Sequence, residues 1–199
     1  MVNNMKKIGV ILRENGEYLT LKKEIYDVIL EYKCLPVGIC DEFDLDLIKF
    51  CDGFILQGGT TCNEKDLKIV TYLYNNNIPT FGICLGMQMM GLITGSDLVP
   101  IKNTNHQSTK KFVHEVNIVP NTKLFNIIKY PKIIVNSRHI EQITNPKIDI
   151  TAISNDNIIE AIEDKTKKFF IGVQWHPESL MDENSIKLFD AFFSVVSKS

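Results

Sequence analysis

The sequence has no long hydrophobic run, no large excess of charge and few cysteines. No apolar stretch approaches the ~18 residues of a membrane-spanning helix, and Met5-Lys6-Lys7 precedes only a short apolar strand, unlike a signal peptide. The formal net charge of −2 gives no reason to expect nucleic acid or a membrane surface as a partner. The five cysteines include no Cys-x-x-Cys pair, which argues against a disulfide framework or a zinc site. We therefore expect a cytoplasmic protein.

The chain does have the size and apolar content of one folded domain. Its 199 residues are 44% hydrophobic, enough for one sizeable core. No repeat, low-complexity tract or linker interrupts the sequence, so we predict a single domain over residues 1–199.

The spacing of apolar residues predicts the order of the elements. Strands are expected at Lys6–Leu12, Leu35–Ile39, Gly53–Leu56 and Ile78–Ile83, and helices at Leu19–Tyr32, Glu64–Tyr74 and Leu85–Ile93. This alternation predicts an α/β fold with an open, mostly parallel sheet and helices on both faces. Short strands between Phe112 and Gln174 predict a small antiparallel extension, and a last helix is expected at Glu183–Val196.

A cysteine flanked by glycines stands at the end of the fourth predicted strand. The segment Gly82–Gly86 (GICLG) has the spacing of a nucleophile elbow, a sharp strand-to-helix turn that exposes the reactive side chain. Glycine is required on both sides of Cys84 because a Cβ there would collide with the neighbouring strand or helix. The helix N-terminus favours the reactive thiolate. An isolated motif of this kind leaves open a cysteine buried between packing glycines.

A histidine and a glutamate follow another apolar strand near the C-terminus, in the segment Gly172–Glu178 (GVQWHPE). A thiol nucleophile needs a base that takes its proton and returns it to the leaving group, and the base needs an acceptor that fixes its tautomer. His176 and Glu178, on one side of an extended segment, suit these two roles. The alternative is a His-Pro-Glu turn without chemistry.

A pair of glycines, Gly58 and Gly59, follows the buried strand Gly53–Leu56. Acyl transfer creates an oxyanion, which two backbone N–H groups can stabilise. The diglycine lets the backbone approach a substrate, and the N–H of Leu85 would be the second donor. The nucleophile, the base and the oxyanion donors all follow strand ends, where ligands bind in open α/β sheets.

Two further histidines, His106 and His114, flank a polar stretch that we interpret as an exposed loop. No carboxylate or thiol stands at ligand spacing from them, so we predict no metal site. The predicted thiol chemistry also requires no cofactor.

The motifs GICLGMQ at Gly82–Gln88 and GVQWHPE at Gly172–Glu178 resemble those of class I glutamine amidotransferase-type domains, the Cys-His-Glu group that cleaves γ-glutamyl amides. The likeness runs from Ile8 to the C-terminal helix. Within the group, the chain is most similar to the γ-glutamyl-γ-aminobutyrate hydrolase branch. Val135–His139 (VNSRH) and Asn157–Glu163 (NIIEAIE) resemble that branch's VNSxH and DGxIEAIE segments.

The resemblance implies roles for individual residues. The implied catalytic residues are the nucleophile Cys84, the base His176 and its orienting partner Glu178. Oxyanion donors would be Gly59 and Leu85, and substrate-binding residues would be Gln88, Gly58 and His139. For His139, a surface position at a strand end is the alternative.

The chain departs from the hydrolase branch at three points. Ile140 and Glu141 replace a second histidine and a glutamine, Leu85 replaces an arginine, and the segment from Gly59 to Cys84 is short. We predict cysteine-dependent hydrolysis of a γ-glutamyl amine or glutamine through a γ-glutamyl thioester, releasing glutamate. Alternatives are a glutaminase subunit that delivers ammonia to a separate synthetase, and a non-catalytic regulatory or binding domain on the same fold.

Overall fold

A computed structural model describes residues 5–40, 45–102 and 106–198. Within these ranges the strands are β1 (Lys7–Ile11), β2 (Arg13–Asn15), β3 (Tyr18–Thr20), β4 (Leu35–Ile39), β5 (Gly53–Leu56), β6 (Thr80–Ile83), β7 (Asp97–Pro100), β8 (His114–Ile118), β9 (Lys132–Val135), β10 (Glu141–Thr144), β11 (Asp149–Ser154), β12 (Ile159–Glu163) and β13 (Phe170–Val173). The helices are α1 (Lys23–Glu31), α2 (Leu45–Phe50), α3 (Glu64–Asn75), α4 (Leu85–Ile93), α5 (Lys123–Ile128), α6 (Pro177–Leu180) and α7 (Glu183–Lys198).

The described strands form one nine-stranded sheet and two small two-stranded sheets. The order in the large sheet is β4-β1-β5-β6-β13-β12-β11-β8-β9. The first five of these strands run parallel, and the remaining four continue the sheet antiparallel. This confirms the predicted α/β fold with a parallel sheet and an antiparallel extension.

Apolar side chains on the two faces of the sheet pack against different helices. Successive strand residues point to opposite faces, so Ile55 joins the cluster that contains α1 and α7, while Phe54 and Leu56 join the cluster that contains α3 and α4. Helices therefore cover both faces, as predicted. Among the described residues, none of the helices combines the length and apolar character that a membrane crossing requires.

The first predicted helix, Leu19–Tyr32, is wrong at its beginning. Its first residues belong to β3, which pairs with β2 through a tight turn at Gly16, and α1 begins only at Lys23. Gly16 has a φ of +61°, the left-handed conformation that such hairpin turns require. The buried side chain of Gln57 accepts a hydrogen bond from the Lys22 N–H and donates one to the Thr20 carbonyl, which separates the hairpin from the helix.

Three neighbouring parallel strands carry the predicted catalytic segments. Leu56 of β5 is paired with Gly82 of β6, and Gly82 is paired with Gly172 of β13. The diglycine, Cys84 and His176 each follow one of these strands. The register therefore brings all three segments to the same edge of the sheet.

Candidate active site

Cys84 lies in the sharp turn between β6 and α4. Its φ of 53° and ψ of −107° are rare for a residue with a side chain, and such strain is found where the surrounding structure holds it in place. Its N–H donates to the Val173 carbonyl of β13 at 2.8 Å, and its carbonyl accepts from the Gln88 N–H at 3.1 Å. The side chain is buried, with 6% exposed. The backbone therefore has the strand-turn-helix form that the motif predicts.

The two glycines around Cys84 are required by close packing, as predicted. A Cβ on Gly86 would lie 2.1 Å from the Leu56 carbonyl oxygen of β5. A Cβ on Gly82 would lie 2.3 Å from the Met90 sulfur and 2.8 Å from the Gly86 carbonyl carbon of α4. The first clash is with backbone, so no side-chain movement relieves it.

His176 and Glu178 form the predicted pair, although by a different local structure. The distance between His176 Nδ1 and Glu178 Oε1 is 2.7 Å, and both side chains are buried. The expected extended segment is wrong: His176 caps helix α6, and Pro177 occupies its first position, where a missing N–H costs nothing. The first turn of α6, and not strand alternation, brings the carboxylate to the ring.

The electrostatic surroundings of His176 favour its charged form. Burial alone would lower the pKa of His176, but hydrogen bonds to Cys84 and Glu178, with the negative charge of both groups, raise it to about 9. Because Nδ1 is bound to Glu178, Nε2 is the ring nitrogen that can reach the thiol. The site therefore holds an imidazolium beside Cys84 at neutral pH.

Asn136 holds the backbone of His176, a function that the sequence alone did not indicate. Its Oδ1 accepts the His176 N–H at 2.7 Å, and its Nδ2 donates to the His176 carbonyl at 2.9 Å. The side chain is 1% exposed. The only sequence signal was its place in the VNSRH segment, because its partner lies 40 residues along the chain.

The diglycine lies against the predicted nucleophile, Cys84, and the predicted base, His176. A Cβ on Gly58 would lie 2.9 Å from His176 Cε1 and 3.4 Å from the Cβ of Cys84. A Cβ on Gly59 would lie 3.0 Å from the Leu85 side chain. The predicted oxyanion donors are thus close together, and their role stays a prediction. Lys22, which no sequence motif marked, places Nζ 3.1 Å from the Cβ position of Gly58.

Gln88 and His139, two of the predicted substrate-binding residues, both contact the Glu141 carbonyl oxygen. Gln88 Nε2 lies 3.2 Å from it and 3.3 Å from Gln174 Oε1, and His139 Nδ1 lies 3.0 Å from it. His139 is 4% exposed, so the alternative of a surface histidine is wrong. The binding roles of Gln88, Gly58 and His139 stay predictions.

An open cavity of ≈ 370 Å³ lies beside the diglycine, between it and the β2–β3 hairpin. Its wall includes Gly58, Gly59, Lys22 and Arg13, and Arg13 is paired with Asp66 at 2.6 Å. The thiol is not in this wall, but Gly58 adjoins both the cavity and the thiol. A substrate could therefore extend from the site into this space.

The polar stretch between His106 and His114 is a mostly exposed loop, as interpreted, but the two histidines themselves turn inward. His106 is 5% exposed and His114 is half-buried, and both approach the fully buried carboxylate of Glu160. This carboxylate comes from β12, so spacing along the sequence could not predict it.

The sequence matches the family model described as glutamine amidotransferase class-I over residues 18–196. The chain therefore belongs to the class I glutamine amidotransferase family, a family of enzymes that act on glutamine.

Two curated relatives are similar in sequence to parts of this chain. Protein NtpR of Enterococcus hirae is 34% identical over 148 residues, which are 65% of this chain and 61% of NtpR. Anthranilate synthase component 2 of Pyropia yezoensis is 33% identical over 147 residues, which are 70% of this chain and 75% of that protein. The chain thus spans less than two thirds of NtpR.

A solved structure shows the same fold. A Thermoplasma acidophilum protein, assigned as one subunit of GMP synthase, superposes with a TM-score of 0.76 at 24% identity, covering 98% of this chain and 95% of that one.

Proposed function

We propose that this chain is a glutaminase subunit, which hydrolyses the side-chain amide of glutamine and delivers the ammonia to a separate synthetase. The observation that carries the chemistry is the contact of Cys84 with a charged His176–Glu178 pair at a strained strand-to-helix turn. Leu85 follows the nucleophile, at a position where the hydrolase branch has arginine. This residue supports a glutaminase subunit over a γ-glutamyl hydrolase.

In the first half-reaction, the Cys84 thiolate attacks the side-chain carbonyl carbon of glutamine. A C–S bond forms, and the carbonyl electron pair moves to oxygen, which the N–H groups of Gly59 and Leu85 stabilise. As the C–N bond breaks, His176 Nε2 gives its proton to the leaving nitrogen, which departs as ammonia. The product on the protein is a γ-glutamyl thioester, and His176 is neutral.

In the second half-reaction, neutral His176 takes a proton from water while the water oxygen attacks the thioester carbonyl. The C–S bond then breaks, glutamate leaves, and the thiolate and imidazolium are restored. Glu178 keeps the proton on Nδ1 throughout and stabilises the charged ring. Asn136 holds the His176 backbone at the distance that both steps need.

The synthetase partner is proposed from the relatives. Anthranilate synthase component 2 is by name one component of a larger synthase. Ammonia released by such a component needs an acceptor, so we expect this chain to bind a protein that carries one. The thiolate chemistry suits the reducing cytoplasm.

A hydrolase of larger γ-glutamyl amides, such as γ-glutamyl-γ-aminobutyrate, is the second candidate. The reacting carbonyl and the mechanism would be the same. The open cavity beside Gly58 favours it, because this space and the Lys22 ammonium suit a leaving group that carries a carboxylate.

Glutamate release from glutamine and a panel of γ-glutamyl amines separates the two candidates. Cys84→Ser is the blank, and Cys62→Ser, which changes a half-buried thiol outside the elbow, is the matched control. Weak activity on glutamine that rises when a co-purifying synthetase is added supports the glutaminase proposal. Fast turnover of one γ-glutamyl amine without any partner supports the hydrolase and rejects our proposal.

A further inference from the structure

Three histidines and a glutamate lie close together near the beginning of β8, in the antiparallel part of the large sheet. They are His106, His114, His139 and Glu160. Glu160 Oε1 lies 3.4 Å from His106 Nδ1, 3.5 Å from His114 Nε2 and 3.7 Å from His139 Nε2. The ligand atoms of His106, His114 and Glu160 all lie within 4.8 Å of one another. We call these four residues the histidine cluster.

The polar atoms at the centre of the histidine cluster are buried and unsatisfied. Across residues 5–40, 45–102 and 106–198, neither carboxylate oxygen of Glu160 and neither ring nitrogen of His114 makes a hydrogen bond of normal geometry. Burying such groups without partners is costly, and buried carboxylates are normally paired with a cation or bound to a metal. The cluster therefore needs a cation.

The outer hydrogen bonds of the histidine cluster turn lone pairs toward its centre. His139 Nδ1 lies 3.0 Å from the Glu141 carbonyl oxygen, and His106 Nε2 lies 3.0 Å from a carboxylate oxygen of Asp156. Both partners are acceptors, so each of these nitrogens carries a hydrogen. His106 Nδ1 and His139 Nε2, which are 3.0 Å apart, then face each other as acceptors unless one ring is doubly protonated. A hydrogen-bonded outer nitrogen is also what metal-binding histidines have.

The nearby hydroxyl of Ser137 does not supply the missing proton. Its oxygen lies 2.7 Å from the His106 carbonyl, to which it donates its only hydrogen, and 3.2 Å from His106 Nδ1.

We propose that the histidine cluster binds one divalent transition-metal ion of the zinc class through His106, His114 and Glu160, with His139 as the adjacent fourth ligand. Zinc bound to nitrogen and oxygen at ~2.0–2.1 Å in a tetrahedron has neighbouring ligand atoms about 3.3 Å apart. The separations of 3.0–3.7 Å in the cluster match this spacing. Imidazole and carboxylate ligands together suit zinc better than magnesium or calcium.

A path from solvent reaches the histidine cluster. An open surface pocket is lined by His106, Val113, His114, Asn155 and Asp156. A metal ion could enter through it.

The metal would stabilise the segment that supports the candidate catalytic base. Ser137 is hydrogen-bonded to the His106 carbonyl, and the adjacent Asn136 holds the His176 backbone. The ion thus has a structural role and is independent of the proposed glutaminase function. This proposal replaces the expectation of no metal site, which considered spacing along the sequence alone.

The test is titration of the full chain with Zn²⁺ and, separately, with Co²⁺. The titration uses Cys84→Ser, because a thiol beside His176 is itself able to bind zinc. We expect one ion per chain with a submicromolar Kd, visible Co²⁺ bands typical of tetrahedral coordination, and no thiolate-to-cobalt charge-transfer band. In the same background, Glu160→Gln and His114→Gln should weaken binding at least 100-fold.

Two further variants give an intermediate and an unchanged metal affinity for comparison. Asp156→Asn weakens the outer hydrogen bond of His106 and should cost about 10- to 100-fold in affinity. Glu115→Gln changes an exposed carboxylate beside His114 and should bind like the parent. Circular dichroism checks each fold; if Glu160→Gln does not fold, the half-buried His114→Gln decides.

Three results would overturn the proposal. They are absence of binding by Cys84→Ser, equal binding by His114→Gln, and a charge-transfer band that assigns the ion to the remaining cysteines. Absence of binding would mean that a doubly protonated histidine ring, and not a metal ion, supplies the positive charge in the cluster.

Discussion

The parallel and antiparallel halves of the large sheet present their functional residues in different ways. In the parallel half, the predicted nucleophile, the predicted base and the diglycine each follow one strand, and each belongs to a short continuous motif. In the antiparallel half, Glu160 comes from a segment far from His106 and His114 and meets them only in the folded chain. The candidate functional residues of the parallel half can therefore be recognised in the sequence, whereas those of the antiparallel half can be recognised only in the structure.

This difference has a physical cause. Parallel strands all end at the same edge, so residues that follow them are brought together by topology alone. Antiparallel strands end at alternate edges, and which side chains meet depends on register and on connecting segments. Asn136, which follows β9, connects the two halves because its side chain holds the backbone of His176, the predicted base.

The largest expected effect is that of Glu178→Gln in the parallel half. The amide keeps the size of the side chain but removes the charge that raises the His176 pKa, so kcat for glutamine should fall about 10³-fold with little change in KM. Steady-state kinetics measure this. Glu183→Gln, an exposed carboxylate at the start of α7, is the control; equal activity of both variants would reject the assigned role of Glu178.

Gly86→Ala should break the elbow itself. The added Cβ would meet the Leu56 carbonyl at 2.1 Å, and we expect a loss of about 3 kcal/mol in the free energy of unfolding, together with loss of activity. Gly91→Ala in the same helix is the matched control. There the Cβ meets side-chain atoms alone, of Ile143 at 3.0 Å and of Ser96 at 3.3 Å, and alanine's helix propensity offsets these contacts by about 1 kcal/mol. Similar denaturant midpoints for the two variants would contradict the packing argument.

Asn136→Ala tests the connection between the two halves. Leaving the buried N–H and carbonyl of His176 unpaired should cost about 2 kcal/mol of stability and lower kcat about 10- to 100-fold. Asn117→Ala, which removes partly exposed contacts on β8, should change kcat less than twofold. A stability loss without any change in kcat would limit Asn136 to a purely structural role.

The smallest expected effect is that of alkaline pH. The folded-state pKa of His176, about 9, lies above its ordinary value of 6.5. The stabilisation from its charged form is therefore complete below pH 6.5 and is lost as pH rises through 9. Because the charged ring also protonates the leaving group, kcat/KM should fall about fivefold from pH 9 to 10. A pH profile that stays flat to pH 10 would contradict this assignment.

Much of the parallel half could be predicted from the sequence, because local patterns determine it. Helix α4 and strands β4 and β5 have the predicted bounds, since each is a largely apolar run that polar residues or glycine soon follow. The β2–β3 hairpin was missed because Leu19 continues the apolar pattern of α1, and the Gln57 side chain that lies between the hairpin and the helix comes from a distant part of the sequence.

The candidate site shows the same limit. Cys84, His176 and Glu178 stand in motifs whose spacing predicts a role for each of them. Asn136 and Glu160 could not be assigned, because their partners lie far away in the sequence and depend on the register of antiparallel strands.

The central claim is that Cys84 is an activated nucleophile for a γ-glutamyl carbonyl. The most direct measurement is incubation of the wild-type chain with a diazo-ketone analogue of glutamine, followed by mass spectrometry of its peptides. We predict one adduct per chain, on Cys84, formed more slowly when glutamine is present. Labelling spread over Cys34, Cys40, Cys51 and Cys62, or no labelling of the folded chain, would contradict the account.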